Sequence, residues 1–157
     1  MRNLILMKPK KIMIFCFATF VMLNISVLHA QQVTLYDSFG EPRVYIDYDE
    51  DAAVFMWDGT PVAYVKKIRQ HEGFFSFDGE FLGWYEGGIV YDRNGFVVGA
   101  QQGATDLLLR TKTERRKGIQ KRIPTRRMAP YFTGTKPVWK RRWSNTSLTE
   151  LLYFGGK

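Results

Sequence analysis

The sequence predicts an all-β protein: four short β-hairpins, followed by a basic, partly irregular C-terminal tail that ends in a short helix. Three observations carry this. A local pattern recurs four times, as Leu35-Tyr-Asp-Ser-Phe-Gly40, Val54-Phe-Met-Trp-Asp-Gly59, Phe74-Phe-Ser-Phe-Asp-Gly79 and Val90-Tyr-Asp-Arg-Asn-Gly95. Asp58-Gly59, Asp78-Gly79 and Asn94-Gly95 are hairpin-turn dipeptides. Aromatic residues make up 15% of the chain and recur at strand spacing, four positions before each glycine: Tyr36, Phe55, Phe75 and Tyr91.

The chain opens on a basic stretch, Met1 to Lys11, followed by an almost wholly apolar run, Ile12 to Val27, and then Leu28-His29-Ala30 before polar Gln31. This order is that of a secretory signal, with the mature protein starting near residue 31. The apolar run is short for a membrane span, which needs about 20 residues. Cys16, the only cysteine, lies inside that run. The mature chain is therefore expected to be exported, to a periplasmic or extracellular location, without a disulfide or a thiolate metal site. Its stability has to come from packing.

Charge divides the rest. Residues 31–104 carry twelve acids against five bases, a net of −7, whereas residues 105–157 carry fourteen bases against three acids, a net of +11. The domain reading follows: 1–30 signal peptide, 31–104 four-hairpin β-repeat domain, 105–157 basic extension with a short helix near 147–154.

The glycines are spaced by 19, 20 and 16 residues, room for two strands of about five residues and two turns per copy. With a two-residue turn, whose residues both take positive φ, Tyr36, Phe55, Phe75 and Tyr91 pair with Arg43, Val62, Leu82 and Val98. Tyr45, Tyr64 and Trp84 extend the same face. Leu35, Val54, Phe74 and Val90 then lie opposite Val44, Ala63, Gly83 and Gly99, whose small members admit a close backbone approach. Both faces are largely apolar, so the hairpins must pack on one another. Phe39 before Gly40 is a poor fit to positive φ and predicts another turn type in the first copy.

The segments Trp57-Asp-Gly-Thr-Pro-Val-Ala-Tyr64 and Phe77-Asp-Gly-Glu-Phe-Leu-Gly-Trp84, and the later Trp143-Ser144 with Leu148, resemble the four-fold β-flower family of bacterial exported proteins. The resemblance covers residues 33–104 well and 130–153 loosely. It implies four hairpins set as petals about a pseudo-four-fold axis and no assigned activity. MORN-type and WG-type repeats are the runner-up architectures, ranked lower because their periods are more regular.

In the tail, Thr105 is positioned to cap a short helix through Leu109. From Arg110 to Arg127 the chain is highly cationic, with Arg115, Arg116, Lys117, Lys121, Arg122, Arg126 and Arg127 in three clusters, a composition that is usually solvated and often disordered. Ser147-Leu-Thr-Glu150 is a capping box, with Gly155-Gly156 to stop the helix. Three destinations compete for the cations: the acidic body of the same molecule, an anionic envelope surface, and nucleic acid, which export and the lack of a recognition motif disfavour.

No catalytic constellation or cofactor motif stands out. His71 is the one histidine of the expected mature chain and is read in a polar loop. Asp47 to Asp51 alternates carboxylates, but Ala52 and Asp58 occupy the positions where a calcium loop needs glycine and glutamate. Glu80 and Glu86 form a carboxylate pair of unfixed separation. The aromatic set Trp57, Tyr64, Trp84 and Tyr85 has the chemistry to stack on a sugar or grip a partner, although aromatics at strand spacing are more often core. The function expected is a non-catalytic binding or structural module of the bacterial cell envelope, contacting a protein, a glycan or an anionic surface; the alternative is a small hydrolase of envelope polysaccharide or peptidoglycan. Hairpin edges left open would allow oligomers.

Overall fold

A computed structural model describes residues 31–128, 132 and 134–154. The signal-peptide reading and the Gly155-Gly156 stop lie outside the described residues. Eight strands, β1 (Gln32–Tyr36), β2 (Pro42–Asp47), β3 (Ala53–Met56), β4 (Pro61–Ile68), β5 (His71–Phe75), β6 (Phe81–Glu86), β7 (Ile89–Tyr91) and β8 (Phe96–Ala100), each pair antiparallel with the next. Strand β1 also pairs with β8 through Tyr36 and Ala100, closing the sheet into a barrel. The four hairpins are β1β2, β3β4, β5β6 and β7β8. Because direction alternates around the barrel, all four glycine turns lie at one end. A ninth strand, β9 (Lys140–Trp143), adds parallel to β8, and one helix, α1 (Leu148–Phe154), completes the described chain.

The turns differ from the two-residue form expected. Gly40, Gly59, Gly79 and Gly95 have φ between 72° and 90°, but Phe39, Asp58, Asp78 and Asn94 are not among the residues at positive φ. Each turn instead closes with the glycine N–H donating back three residues, to Asp37, Met56, Ser76 and Asp92. This is a type I turn followed by a left-handed glycine and a bulge. The side chains three before the glycine favour it: Asp37 Oδ1 accepts from the N–H groups of Phe39 and Glu41, and Asp92 Oδ1 from those of Asn94 and Phe96. Phe39 is thus spared positive φ, and all four copies share one turn type.

The bulge shifts one side of the expected register. Leu35, Val54, Phe74 and Val90 do pair with Val44, Ala63, Gly83 and Gly99, but Tyr36, Phe55, Phe75 and Tyr91 pair with Pro42, Pro61, Phe81 and Val97 rather than with Arg43, Val62, Leu82 and Val98. Between petals the same aromatic positions meet again. Phe55 lies opposite Tyr45, Phe75 opposite Tyr64, and Tyr91 opposite Trp84. The closing pair, Tyr36 opposite Ala100, is the fourth copy of this junction. There alanine replaces an aromatic residue, and Leu108 and Trp143 from the tail pack against the Tyr36–Ala100 pair.

The barrel interior holds Leu35, Val44, Val54, Ala63, Phe74 and Val90, together with Leu148, Leu151 and Leu152 of α1. The helix is capped as its sequence predicts: Ser147 N–H donates to Glu150 Oε2 at 2.8 Å, and Glu150 N–H to Ser147 Oγ at 3.2 Å. The small residues in the later petals give this plug its room. A Cβ on Gly99 would sit 2.8 Å from Leu148 Cδ2, and one on Gly83 would sit 3.2 Å from Leu151 Cδ2.

The described residues of the tail after β8 form an extended strap that passes the four hairpin tips in order. Lys112 N–H donates to the Gly40 carbonyl, Lys121 N–H to that of Gly59, Arg127 N–H to that of Phe77, and Lys140 N–H to that of Gly95. The helix expected after Thr105 is absent. Thr105 Oγ1 accepts from Leu107 N–H at 3.2 Å in a simple turn, and Leu108 is drawn into the Tyr36 cluster. Burying that leucine on the barrel takes precedence over a short, marginal helix. Among the described residues, barrel, strap and plug are held to one another by these bonds and by shared apolar clusters.

Candidate binding surface and the His71 cleft

The outward aromatic ladder is covered by the strap. Tyr64 and Trp84 are 4% and 3% exposed, in a cluster with Phe75, Phe81 and Tyr91 against which Phe132, Trp139 and Trp143 pack. Phe132 lies 4.0 Å from Phe81 by ring centroids, and Trp139 stacks on Tyr91 at 4.2 Å. Tyr85 is instead interior, edge-on to Phe74, with its hydroxyl accepting from Gln101 Nε2. Burial raises its pKa far above the ordinary tyrosine value. Trp57 is half-buried and donates its indole N–H to the Arg115 carbonyl at 3.2 Å. The four aromatic candidates therefore do not converge on one open surface.

The cationic candidates divide into two groups. Lys117, Lys121, Arg126 and Arg127 face the barrel. Lys117 Nζ lies 4.5 Å above the Tyr45 ring and donates to Gln32 Oε1, while Gln32 and Gln120 both donate to the buried Asp47 carboxylate. That carboxylate also accepts from Asp49 N–H, which holds the turn after β2. Lys121 reaches Asp58 and Thr60, at 3.4 and 2.7 Å. Arg126 lies 4.4 Å above the Tyr64 ring and clamps both the carboxylate and the carbonyl of Asp51 at 2.7 Å. Arg127 lies 3.4 Å from Asp78. In contrast Arg115, Arg116 and Arg122, with Arg110, are exposed and have no ion-pair partner among the described residues.

A second candidate is a cleft of about 300 Å³ lined by Gln70, His71, Trp84, Phe132 and Lys136. His71 Nδ1 lies 2.8 Å from Glu86 Oε2, and Lys136 Nζ lies 3.6 Å from the same oxygen. Glu80 is held elsewhere, by Arg93 at 3.1 Å. The two glutamates of the sequence reading thus have separate cationic partners. Strand β5 places His71 and strand β6 places Glu86, and their proximity follows from the hairpin pairing of Glu72 with Tyr85. No group of three or more His, Cys, Asp and Glu suited to a metal ion occurs among the described residues.

Sequence reasoning missed the strap's outer face. Leu109, Ile119, Met128 and Val138 are 87%, 92%, 93% and 83% exposed. They follow one another at intervals of ten, nine and ten residues, one beside each hairpin tip. That periodicity was visible in the sequence, but cations surround it and the petal period is about twice as long.

The model of one protein family, described as 4-fold beta flower protein, matches residues 33–152. No curated protein and no solved structure matches the chain.

Proposed function

This chain belongs to the 4-fold beta flower family, and from that premise we propose that it is an exported, non-catalytic binding module of the bacterial cell envelope. In this reading the barrel is a rigid carrier and the basic strap is its contact surface. The observation that carries it is the division of the strap's cations. Those that face inward are matched by acids, amides and aromatic rings of the barrel, whereas Arg110, Arg115, Arg116 and Arg122 face solvent without an ion-pair partner among the described residues. Unpaired guanidinium groups on a rigid frame attract an anionic surface and keep much of their charge available for it. The basic, apolar and small-residue order of residues 1–30 supports export.

Co-sedimentation of residues 31–157 with washed bacterial envelope fragments tests this. Binding is expected at low salt, weakening as ionic strength approaches about 0.5 M. The triple variant Arg115→Gln, Arg116→Gln, Arg122→Gln is expected to bind at least tenfold more weakly. A chain that stays in the supernatant at low salt, or a variant that binds as well as the parent, contradicts the proposal.

A further inference from the structure

Five of the six large apolar residues exposed among the described residues lie at one end of the molecule: Phe39 at the first hairpin tip, and Leu109, Ile119, Met128 and Val138 on the strap. The strap fixes their placement. The Ile119 carbonyl lies against the Gly59 turn and the Val138 carbonyl against the Gly95 turn, close enough that a Cβ on either glycine would overlap the oxygen. Leu109 precedes Arg110, whose carbonyl meets Gly40 in the same way, and Met128 follows Arg127, whose N–H bonds the third tip. Since the four tips share one end of a closed barrel, these side chains are set around its rim.

Separated apolar side chains on a rim do not make the contiguous apolar centre that a protein partner buries. They suit a surface that is flat, deformable and able to receive each one individually. The charge around them selects the kind. Unpaired Arg115, Arg116 and Arg122 flank Ile119 and unpaired Arg110 adjoins Leu109, while the nearby tip carboxylates of Asp58 and Asp78 are matched by Lys121 and Arg127. Cations beside individually exposed apolar residues are the combination that holds a protein at the headgroup–acyl boundary of an anionic bilayer. No described helix is long and apolar enough to cross a membrane, and such contact is peripheral.

We infer that the hairpin-tip end is a docking face for an anionic lipid bilayer, with Leu109, Ile119, Met128 and Val138 entering the interface and the free arginines pairing with headgroup phosphates. This rests on the envelope-binding reading above and names its surface.

The test is vesicle co-flotation of residues 31–157, which omits the apolar N-terminal run whose own lipid affinity would mask the result. Vesicles of phosphatidylcholine with 30% phosphatidylglycerol are compared with phosphatidylcholine alone and with a soluble acidic polysaccharide. The parent is expected to float with the anionic vesicles at least tenfold more tightly than with the zwitterionic ones. The variant Leu109→Ser, Ile119→Ser, Met128→Ser, Val138→Ser is expected to lose tenfold or more on anionic vesicles while its weak polysaccharide binding is unchanged. These positions are exposed, so its circular dichroism and melting should match the parent's. If that variant floats like the parent while the triple arginine variant does not, apolar docking is wrong and the general anionic-surface reading survives. If neither variant differs from the parent, or the parent does not float, lipid docking is wrong, and the envelope reading then stands or falls on co-sedimentation with envelope fragments.

Discussion

Gly99 and Leu148 fit together as groove and plug: a side chain as small as alanine's at residue 99 would bring Cβ to 2.8 Å from Leu148 Cδ2 and 3.2 Å from Cδ1. Leu148 is 1% exposed, so it has little room to retreat. Gly99→Ala is expected to cost about 1–3 kcal/mol through overpacking, and Leu148→Ala about 2–5 kcal/mol through the cavity it leaves. The double variant should be more stable than the sum of the two, by about 0.5–3 kcal/mol, because shortening Leu148 relieves the overlap. Urea titrations of the four proteins measure this; strict additivity would mean that the helix does not enter the barrel beside Gly99.

Gly59 and Gly103 both hold positive φ, at 85° and 78°, but only Gly59 faces the strap, at the Ile119 carbonyl. Alanine at Gly103 meets no atom within 4 Å and is expected to cost about 1 kcal/mol, for conformation alone. Alanine at Gly59 adds displacement of the strap and should cost at least about 1 kcal/mol more. Equal melting temperatures for the two variants would show that the strap does not rest on that turn.

Arg126 and Arg127 are adjacent and both pair with an aspartate, but their surroundings differ. Arg126 has a side chain only 25% exposed, two contacts to Asp51 and a ring face beneath it, whereas the Arg127–Asp78 pair is 78% and 80% exposed. Arg126→Ala is expected to destabilise the fold by about 1–2 kcal/mol, and Arg127→Ala by no more than about 0.5 kcal/mol. Chemical denaturation at low salt ranks them, and the reverse order would contradict the clamp.

Tyr36 links β1 to the strap by donating to Glu114 Oε1 at 3.0 Å. Burial, then this hydrogen bond and the nearby carboxylate charge, push its pKa up to about 12. An acid held protonated by the fold contributes stability that is complete below its unfolded value near 10 and is lost as pH rises toward about 12. Tyr36→Phe should therefore start less stable at pH 8 but decline less steeply between pH 10 and 12. Parallel declines of parent and variant would show that Tyr36 does not titrate with folding.

The parts of the fold readable in sequence are those set by local pairing. The inner register, Leu35 with Val44 through Val90 with Gly99, followed from the repeat because apolar alternation fixes which residues share a face. The turn type did not, because Asp-Gly and Asn-Gly fit two hairpin classes. The deciding signal, Asp37, Ser76 and Asp92 three residues before the glycine, lies in the repeat, but it acts through hydrogen bonds to N–H groups further along the turn, which composition alone does not reveal. The capping box at Ser147 was legible as a helix start, although nothing local places Leu148 inside a barrel. The strap was least legible. Its chain makes few bonds with itself, and its order comes from docking on distant parts of the barrel, as Arg126 on Asp51, 75 residues away, and Lys121 on Asp58, 63 residues away, illustrate. For the same reason Tyr64 and Trp84 read as candidate ligand contacts: the residues that cover them lie outside the repeat.

A basic segment of disordered-type composition is clamped at every hairpin tip. Amide hydrogen exchange followed by NMR on residues 31–157 tests that directly. The N–H groups of Lys112, Gly118, Lys121, Arg127 and Lys140, which bond to Gly40, Trp57, Gly59, Phe77 and Gly95, are expected to exchange at least a hundredfold more slowly than an unstructured chain. Exchange of all five at unstructured rates beside a protected barrel would contradict it, and would return the cations to a loose tail.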